Sequence, residues 1–169
     1  AMALIPKITA DFSKIFGRDY NGLIEGYHIK DAEKVIVAMG STCGTIREVV
    51  DELRSKGKKV GLLKITSLRP FPAAQIYEAL KGAVKVAVVD RALSLGSFAP
   101  VAAEVRAAFF GKTKKPKAIN SFILGLGGRD ITKDSIKEIF RLMAGAKEFQ
   151  GEFIDLKPEY LKENYEDSV

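Results

Sequence analysis

Apolar residues recur along the chain in two alternating patterns, and these patterns predict alternating strands and helices. Continuous apolar runs are typical of strands covered on both faces, and recurrence every three or four positions is typical of amphipathic helices. The predicted buried strands are Val35–Met39, Val60–Ile65, Val84–Val89 and Ala118–Leu124. The helices after them are marked by Ile46, Val49, Val50 and Leu53, then Ile76, Tyr77 and Leu80, then Val101, Val105, Ala108 and Phe109, then Ile136, Ile139, Phe140 and Met143. Strands that alternate with crossover helices form a parallel sheet with helices on both faces, so we predict an α/β fold.

The two ends of the chain carry weaker patterns. Apolar residues at helical spacing predict a helix over residues 4–16 that ends at Gly17, and residues 23–29 predict a short strand. Apolar periodicity fades after about residue 148, and the tail from Glu152 to Val169 mixes charges with apolar side chains: Phe153, Ile154, Leu156, Tyr160, Leu161 and Tyr165. We expect a helical lead-in over residues 1–21, an α/β domain over 22–148 and a C-terminal arm over 149–169 that orders against a partner.

Composition narrows the class of protein. The chain has 169 residues, 47% of them hydrophobic and 28% charged, which suits one globular domain. No apolar run approaches the roughly 20 residues of a membrane span, and the start does not resemble a secretory signal. The single cysteine, Cys43, forms no internal disulfide or metal cluster by itself. We therefore expect a cytoplasmic protein without membrane association.

The net charge of +6 is distributed unevenly over the predicted sheet. In a parallel sheet, loops that enter the strands share one edge, here called the amino edge, and loops that leave the strands share the other, the carboxyl edge. The amino edge collects lysines at helix C-termini: Lys56, Lys58, Lys59, Lys81, Lys85, Lys112, Lys114, Lys115 and Lys117. Helix dipoles favour cations there, which explains a solvated basic face; an acidic protein partner is the alternative. Nucleic-acid binding is not expected, because no arginine run is interleaved with aromatic residues.

The carboxyl edge comprises residues 40–44, 67–71, 90–96 and 125–130, and it combines glycines with charges of both signs. Ligands of α/β sheets bind at this edge, where helix N-termini offer free N–H groups. The candidate interface or anion-binding residues are Arg69, Asp90, Arg91, Ser94, Gly96, Gly127, Gly128, Arg129 and Asp130. An Arg–Asp network that fixes the loops, a subunit interface and a small-anion site all remain open at this point.

No sequence motif here supports catalysis. The segment Gly40–Gly44 follows a strand but is neither GxGxxG nor a P-loop. A position near a helix N-terminus favours a lowered pKa for Cys43, yet no histidine lies near it in sequence. The single histidine, His28, is interpreted as structural. We expect no catalytic, cofactor-binding or metal-binding residue in this chain.

At the same loops the sequence resembles a known family. Val35–Ser41 and Leu68-Arg69-Pro70 are similar to turns of the transketolase C-terminal-like domain. Arg69–Pro72, Val89–Arg91 with Ser94 and Gly96, and above all Gly125–Thr132 resemble the alpha subunit of pyruvate:ferredoxin oxidoreductase. The resemblance covers residues 12–145, with Ala99 departing from the glycine usual before Pro100.

This resemblance implies a three-layer α/β/α sandwich with a mostly parallel five-stranded sheet whose first strand is antiparallel. It implies a parent enzyme that converts pyruvate, coenzyme A and oxidised ferredoxin to acetyl-CoA, CO2 and reduced ferredoxin, using thiamine diphosphate, magnesium and iron–sulfur clusters. The chain lacks the Gly-Asp-Gly…Asn motif and the cluster cysteines, so we expect a non-catalytic fragment whose partners are the other domains and subunits. Two alternatives remain: a 2-oxoglutarate or branched-chain 2-oxoacid:ferredoxin oxidoreductase as parent, or a stand-alone nucleotide- or CoA-binding module.

Overall fold

A six-stranded sheet forms the centre of the computed structural model, which describes residues 1–20, 22–145 and 147–156. The strands are β1 (Ile24–Tyr27), β2 (Lys34–Met39), β3 (Val60–Ile65), β4 (Lys85–Asp90), β5 (Ala118–Ile123) and β6 (Gln150–Phe153). Their spatial order is β1-β3-β2-β4-β5-β6. Strand β1 pairs antiparallel with β3, and the other neighbouring pairs are parallel. The mostly parallel sheet with an antiparallel first strand is thereby confirmed.

Within the described residues, five α-helices accompany the sheet: α1 (Leu4–Phe16), α2 (Thr42–Ser55), α3 (Ala73–Leu80), α4 (Pro100–Ala107) and α5 (Lys133–Leu142), with a short 3-10 turn at Leu126–Gly128. Helices α3 and α4 cover one face of the sheet, where Ile76 and Val105 pack with Val37 of β2. Helices α2 and α5 cover the other face, where Ile46 and Ile139 pack with Ile36. Consecutive residues of β2 thus enter opposite layers, which is why that strand is apolar throughout.

The sheet contains one strand more than the five we predicted. Residues 150–153 pair in parallel with β5, although they lay in the segment expected to be an arm. The sequence Gln-Gly-Glu-Phe is short and polar, so neither periodicity nor β-propensity indicated a strand. Phe153 packs on the α3/α4 layer and Ile154 on the α2/α5 layer, so these two side chains do find a core. Tyr160, Leu161 and Tyr165 lie outside the described residues.

The ends of the helices follow their sequence signals in part. Thr132 caps α5: its hydroxyl accepts from the Ser135 N–H at 3.1 Å, and the Ser135 hydroxyl accepts from the Thr132 N–H at 3.0 Å. Ser41 precedes α2 without a side-chain capping bond, and Pro72 lies just before α3. The described part of the chain contains no helix long and apolar enough to span a membrane.

Candidate functional site at the carboxyl edge of the sheet

The four loops of the carboxyl edge follow β2, β3, β4 and β5, which run in parallel, so the structure brings them to one edge as expected. The chain changes direction across the sheet between β2 and β4. Helix α2 leaves β2 towards one face and α4 follows β4 on the other. Such a topological switch point leaves a crevice, which is where ligands of open α/β sheets bind. Here Ser41, Thr42 and Thr45 face the segment Gly128–Ile131 and Arg91 across a polar crevice of about 250 Å³.

Asp90 is the most buried of the candidate residues, with 3% of its surface exposed. Its two carboxylate oxygens accept hydrogen bonds from the N–H groups of Val101 (3.0 Å) and Ala102 (3.1 Å) in the first turn of α4. Burial raises the pKa of this carboxyl above its usual value, although the two N–H donors act in the opposite direction. Asp90 therefore fixes the start of α4 and closes the loop 91–99.

The three arginines of the edge bind carbonyl groups and residues outside the predicted Arg–Asp set. Arg91 donates to the Gly125 carbonyl at 3.2 Å. Arg129 donates to the Asp155 carbonyl at 2.6 Å, and the Asp155 carboxylate accepts from the Gly125 N–H at 2.8 Å. Arg69 forms an ion pair with Glu104 of α4 at 2.8 Å and also donates to the Leu68 carbonyl.

Of the three readings left open by the sequence, an Arg–Asp network does not form among Arg69, Asp90, Arg91, Arg129 and Asp130 in the described part of the chain. Within the described residues no ion pair joins any two of these side chains. The carboxylate of Asp90 is directed inward to the N-terminus of α4, whereas the three arginines of the carboxyl edge bind other groups. The candidates also divide between the two faces: Arg69 contacts α4, whereas Arg91, Arg129 and Asp130 line the crevice beside α2.

The remaining candidates shape the turns. Gly96, Gly127 and Gly128 adopt positive φ angles of 71°, 64° and 81°, which glycine reaches without a steric penalty. Ser94 accepts a hydrogen bond through its carbonyl from the Ser97 N–H at 3.2 Å, which tightens the same loop. These residues explain the loop conformations without requiring a ligand.

Sequence reasoning missed the exposed apolar side chains of this edge. Leu95 is 92% exposed and Leu93 is 48% exposed, both in the loop between Asp90 and α4. The ring of Phe98 lies beneath the Arg106 guanidinium, 4.1 Å from ring centre to Cζ. Two leucines in a loop rich in serine and glycine were the available signal. Exposed leucines beside arginines are typical of a protein contact surface.

Cys43 is buried, and His28 contacts Arg54 and Asp51. Burial raises the pKa of the Cys43 thiol, so the lowered pKa favoured by its position near the start of α2 is wrong. The Arg47 and Lys64 cations act in the opposite direction but do not outweigh burial. The carbonyl of His28 accepts from Arg54 at 2.7 Å, and its ring lies 3.6 Å from the Asp51 carboxylate.

The residues described here do not fit a metal or a metal-bound cofactor. Within residues 1–20, 22–145 and 147–156 there is no group of three or more histidine, cysteine and carboxylate side chains that could hold a metal ion. The arrangement instead defines a doubly wound α/β domain whose carboxyl edge is closed by loop-fixing contacts and carries exposed leucines.

Comparison with known proteins places this domain in a family. Residues 32–136 match the family described as pyruvate:ferredoxin oxidoreductase core domain II. Pyruvate synthase subunit PorA of Methanothermobacter thermautotrophicus is 47% identical over 138 residues, which cover 82% of this chain and 34% of that protein. Ketoisovalerate oxidoreductase subunit VorA of Pyrococcus horikoshii is 38% identical over 139 residues, covering 82% of this chain and 35% of that protein. The chain belongs to the pyruvate:ferredoxin oxidoreductase family and spans about a third of the length of these curated relatives.

A solved structure shows the same fold. The 2-oxoglutarate:ferredoxin oxidoreductase from Magnetococcus marinus superposes with a TM-score of 0.56 at 21% identity, over 79% of this chain and 21% of that one. At this identity the likeness supports the fold alone.

Proposed function

We propose that this chain is a non-catalytic structural and assembly domain in a subunit of a thiamine diphosphate-dependent pyruvate:ferredoxin oxidoreductase. The complete enzyme would convert pyruvate, coenzyme A and oxidised ferredoxin to acetyl-CoA, CO2 and reduced ferredoxin. The observation that carries the proposal is the 47% identity to a pyruvate synthase subunit over 82% of the chain. Thiamine diphosphate, magnesium and iron–sulfur clusters would be held elsewhere in the enzyme, with ferredoxin and coenzyme A as its partners. A cytoplasmic location accords with one buried, unpaired cysteine.

The geometry of the carboxyl edge supports the non-catalytic part of the proposal. Asp90 is occupied by α4, and Arg91 and Arg129 are occupied by carbonyl groups, so these side chains position backbone instead of facing a substrate. The outward residues, Leu93 and Leu95, suit contact with protein. We infer that the edge packs on other domains or subunits of the enzyme.

One experiment tests the proposed activity. The complete enzyme containing this subunit should reduce ferredoxin when supplied with pyruvate and coenzyme A. Parallel assays with 2-oxoglutarate and with 2-oxoisovalerate test the other parents; the likeness to a ketoisovalerate oxidoreductase subunit favours the second of these. If the enzyme prefers either of those substrates over pyruvate, that substrate replaces pyruvate in the proposal. If none of the three 2-oxoacids supports ferredoxin reduction, the proposed oxidoreductase function is overturned.

A second experiment tests the assignment as a non-catalytic domain. The 169-residue chain should show no heat signal in calorimetry with thiamine diphosphate and magnesium, and micromolar binding would contradict the proposal. A thermal-shift screen with nucleotides and coenzyme A examines the crevice beside Arg91 and Arg129. A clear shift that disappears in Arg129→Ala would favour a binding module instead.

A further inference from the structure

Helix α1 presents an apolar face that the rest of the described chain does not cover. Its half-buried positions are Ile5, Thr9 and Ser13, which lie towards the domain, and none of its residues is fully buried against the described residues. The adjacent face carries a stripe of large side chains with these exposed fractions: Leu4 55%, Ile8 56%, Phe12 37%, Ile15 74% and Phe16 60%. A spacing of three and four residues is that of one helix face laid against an apolar surface.

The aromatic side chains of this face pack against one another. The rings of Phe12 and Phe16 stack with centres 4.3 Å apart, and the Tyr20 ring meets Phe12 edge-on at 5.2 Å. Beside them, Ile5 and Ile8 line a groove of about 420 Å³ that extends to Thr66–Ser67 at the end of β3, and its wall is almost wholly apolar. A contiguous exposed apolar patch of this kind usually marks an interaction surface.

The helix itself requires further packing. Isolated helices of about this length are marginal in water, and most helical stability in proteins comes from burial of the apolar face. Here the face that enters the domain is built largely from Ile5, Thr9 and Ser13, while the larger side chains point outward. The residues that would stabilise α1 most are therefore those without a partner surface in the described chain.

We propose that the α1 face, defined by Leu4, Ile8, Phe12, Ile15 and Phe16, docks onto an apolar surface of the same subunit outside these 169 residues. This inference rests on the proposed function, because it requires a larger parent subunit. The related subunit from Methanothermobacter is matched over only 34% of its length, which leaves about two thirds of such a polypeptide to supply the surface.

Charge argues against a second copy of this chain as the occupant. Each copy carries a net charge of +6, and α1 itself keeps a net charge of +1, since Asp11, which pairs with Lys14 at 3.2 Å, offsets one of its two lysines. Two copies paired through α1 would bring two positively charged domains together, which disfavours self-association. A surface elsewhere in the subunit is free to carry compensating acidic residues beside its apolar centre.

The test uses the complete subunit with Ile8→Glu, Ile15→Glu and the control Phe110→Glu. Phe110 is 91% exposed near the amino edge, so the control introduces the same charge at an even more exposed apolar position away from α1. In the unaltered subunit, amides of residues 4–16 should exchange at least about tenfold more slowly than in the 169-residue chain. Both α1 variants should remove that protection and lower the melting temperature by about 2 °C or more, whereas Phe110→Glu should do neither.

Two results would overturn the proposal. One is equal exchange of residues 4–16 in the complete subunit and in the 169-residue chain. The other is a dimer of the 169-residue chain in sedimentation that Ile15→Glu dissociates, which would make a second copy the occupant. Pyruvate oxidation is measured on the same preparation. Slow amide exchange in residues 4–16 without pyruvate oxidation would contradict only the enzyme assignment. Pyruvate oxidation without that slow exchange would contradict only the docking surface.

Discussion

At the scale of single residues, Asp90 shows how one buried carboxylate organises a loop. It is the acceptor for two N–H groups at the start of α4, and such groups have no partner within their own helix. We expect Asp90→Ala to destabilise the chain by about 2–4 kcal/mol, because two buried donors lose their acceptor. The exposed Lys114→Ala should change stability by less than about 0.5 kcal/mol. Urea denaturation of both variants measures the difference, and equal, small effects would show that Asp90 does not hold α4.

Cys43 gives a prediction about reactivity. Its side chain is 3% exposed and burial raises the pKa of the thiol, so both access and the thiolate fraction are low near neutral pH. A thiol reagent at about pH 7.5 should modify the folded chain at least about tenfold more slowly than the chain in denaturant. Equal rates in the two conditions would show that α2 does not shield the sulfur.

These residues mark where sequence reasoning stops at this scale. The sequence placed Cys43 correctly near the start of a helix, but it did not show that the side chain turns towards Ile36 and Ala38 of β2 instead of towards solvent. For Asp90 the sequence indicated an important charge but not its partners, because hydrogen bonds to backbone N–H groups cannot be read from residue identity. The direction of a side chain depends on packing that periodicity does not describe.

At the scale of elements, Gly61 explains how β1 fits against β3. A Cβ atom at Gly61 would lie 2.7 Å from the His28 carbonyl oxygen and 3.0 Å from that of Tyr27, and the first of these distances is shorter than any real contact tolerates. Gly61→Ala should therefore destabilise the chain by about 1–3 kcal/mol through displacement of the end of β1. Gly44 in α2 is a matched control, since a Cβ atom there would meet nothing within 4 Å and alanine favours the helix by up to about 1 kcal/mol. Urea denaturation should rank Gly44→Ala above Gly61→Ala, and the reverse order would contradict this geometry.

Helices α2 and α5 are joined by ion pairs on their exposed sides. The Glu52 carboxylate lies 2.8 Å from Lys137 of α5 and 2.7 Å from Lys56, and Lys133 pairs with Glu48. Hydrogen bonds from Lys137 and Lys56 lower the pKa of Glu52 from 4.5 to about 2. A carboxyl with a lowered folded pKa contributes stability above its unfolded pKa and loses that contribution as the pH falls through the folded value.

We therefore expect Glu52→Gln to reduce the loss of unfolding free energy that occurs as the pH falls in the acid range. Between pH 4.5 and about 2, the unaltered chain should lose more stability than the variant, since only the former takes up a proton at this position. The difference should be small and should fade in about 1 M salt, because the pair is exposed. Thermal melts at several pH values measure it, and parallel acid limbs would show that the pair contributes nothing.

The elements that sequence predicted best are those with the strongest apolar patterns. Strands β2, β3 and β4 were recognisable because both faces are buried, as in Val35–Ala38, which are at most 1% exposed. Strand β6 was missed because it is stabilised by pairing with β5 and not by an apolar pattern of its own. The Phe149 N–H beside it donates to the Asn120 side chain of β5 at 3.0 Å. Helix α1 was predicted with its end at Gly17, but its periodicity did not show that the apolar face would lie open.

At the scale of the whole molecule, topology carried the prediction of the site further than chemistry did. Parallel strands brought the four loops of the carboxyl edge together, as the sequence order required. The separation of Arg69 from Arg91 and Arg129 was not predictable, since it follows from whether each loop turns towards the layer of α4 or that of α2. Sequence thus located the edge and left open which side chains meet there.

The two edges of the sheet differ in a way that predicts the orientation of the domain in its enzyme. On the amino edge, three of the nine lysines form ion pairs within the described residues: Lys56 with Glu52 at 2.7 Å, Lys59 with Glu33 at 3.4 Å, and Lys81 with Glu78. Phe110 is exposed there, but a single apolar residue on a surface is common. The carboxyl edge exposes Leu93 and Leu95 next to Arg91, the combination that anchors protein interfaces.

We therefore expect the carboxyl edge and the C-terminal tail to be buried in the assembled enzyme, and the amino edge to face solvent. Hydrogen exchange should show added protection in residues 67–71, 90–96, 125–131 and 152–165 when the assembled enzyme is compared with the 169-residue chain. Residues 56–59 and 112–117 serve as the internal control and should exchange alike in both samples. Buried contact would slow exchange at the first set because the loops lose local opening motions, whereas solvated lysine loops keep theirs. Protection confined to the lysine segments would mean that the basic edge, with its excess of positive charge, is the surface that meets the rest of the enzyme.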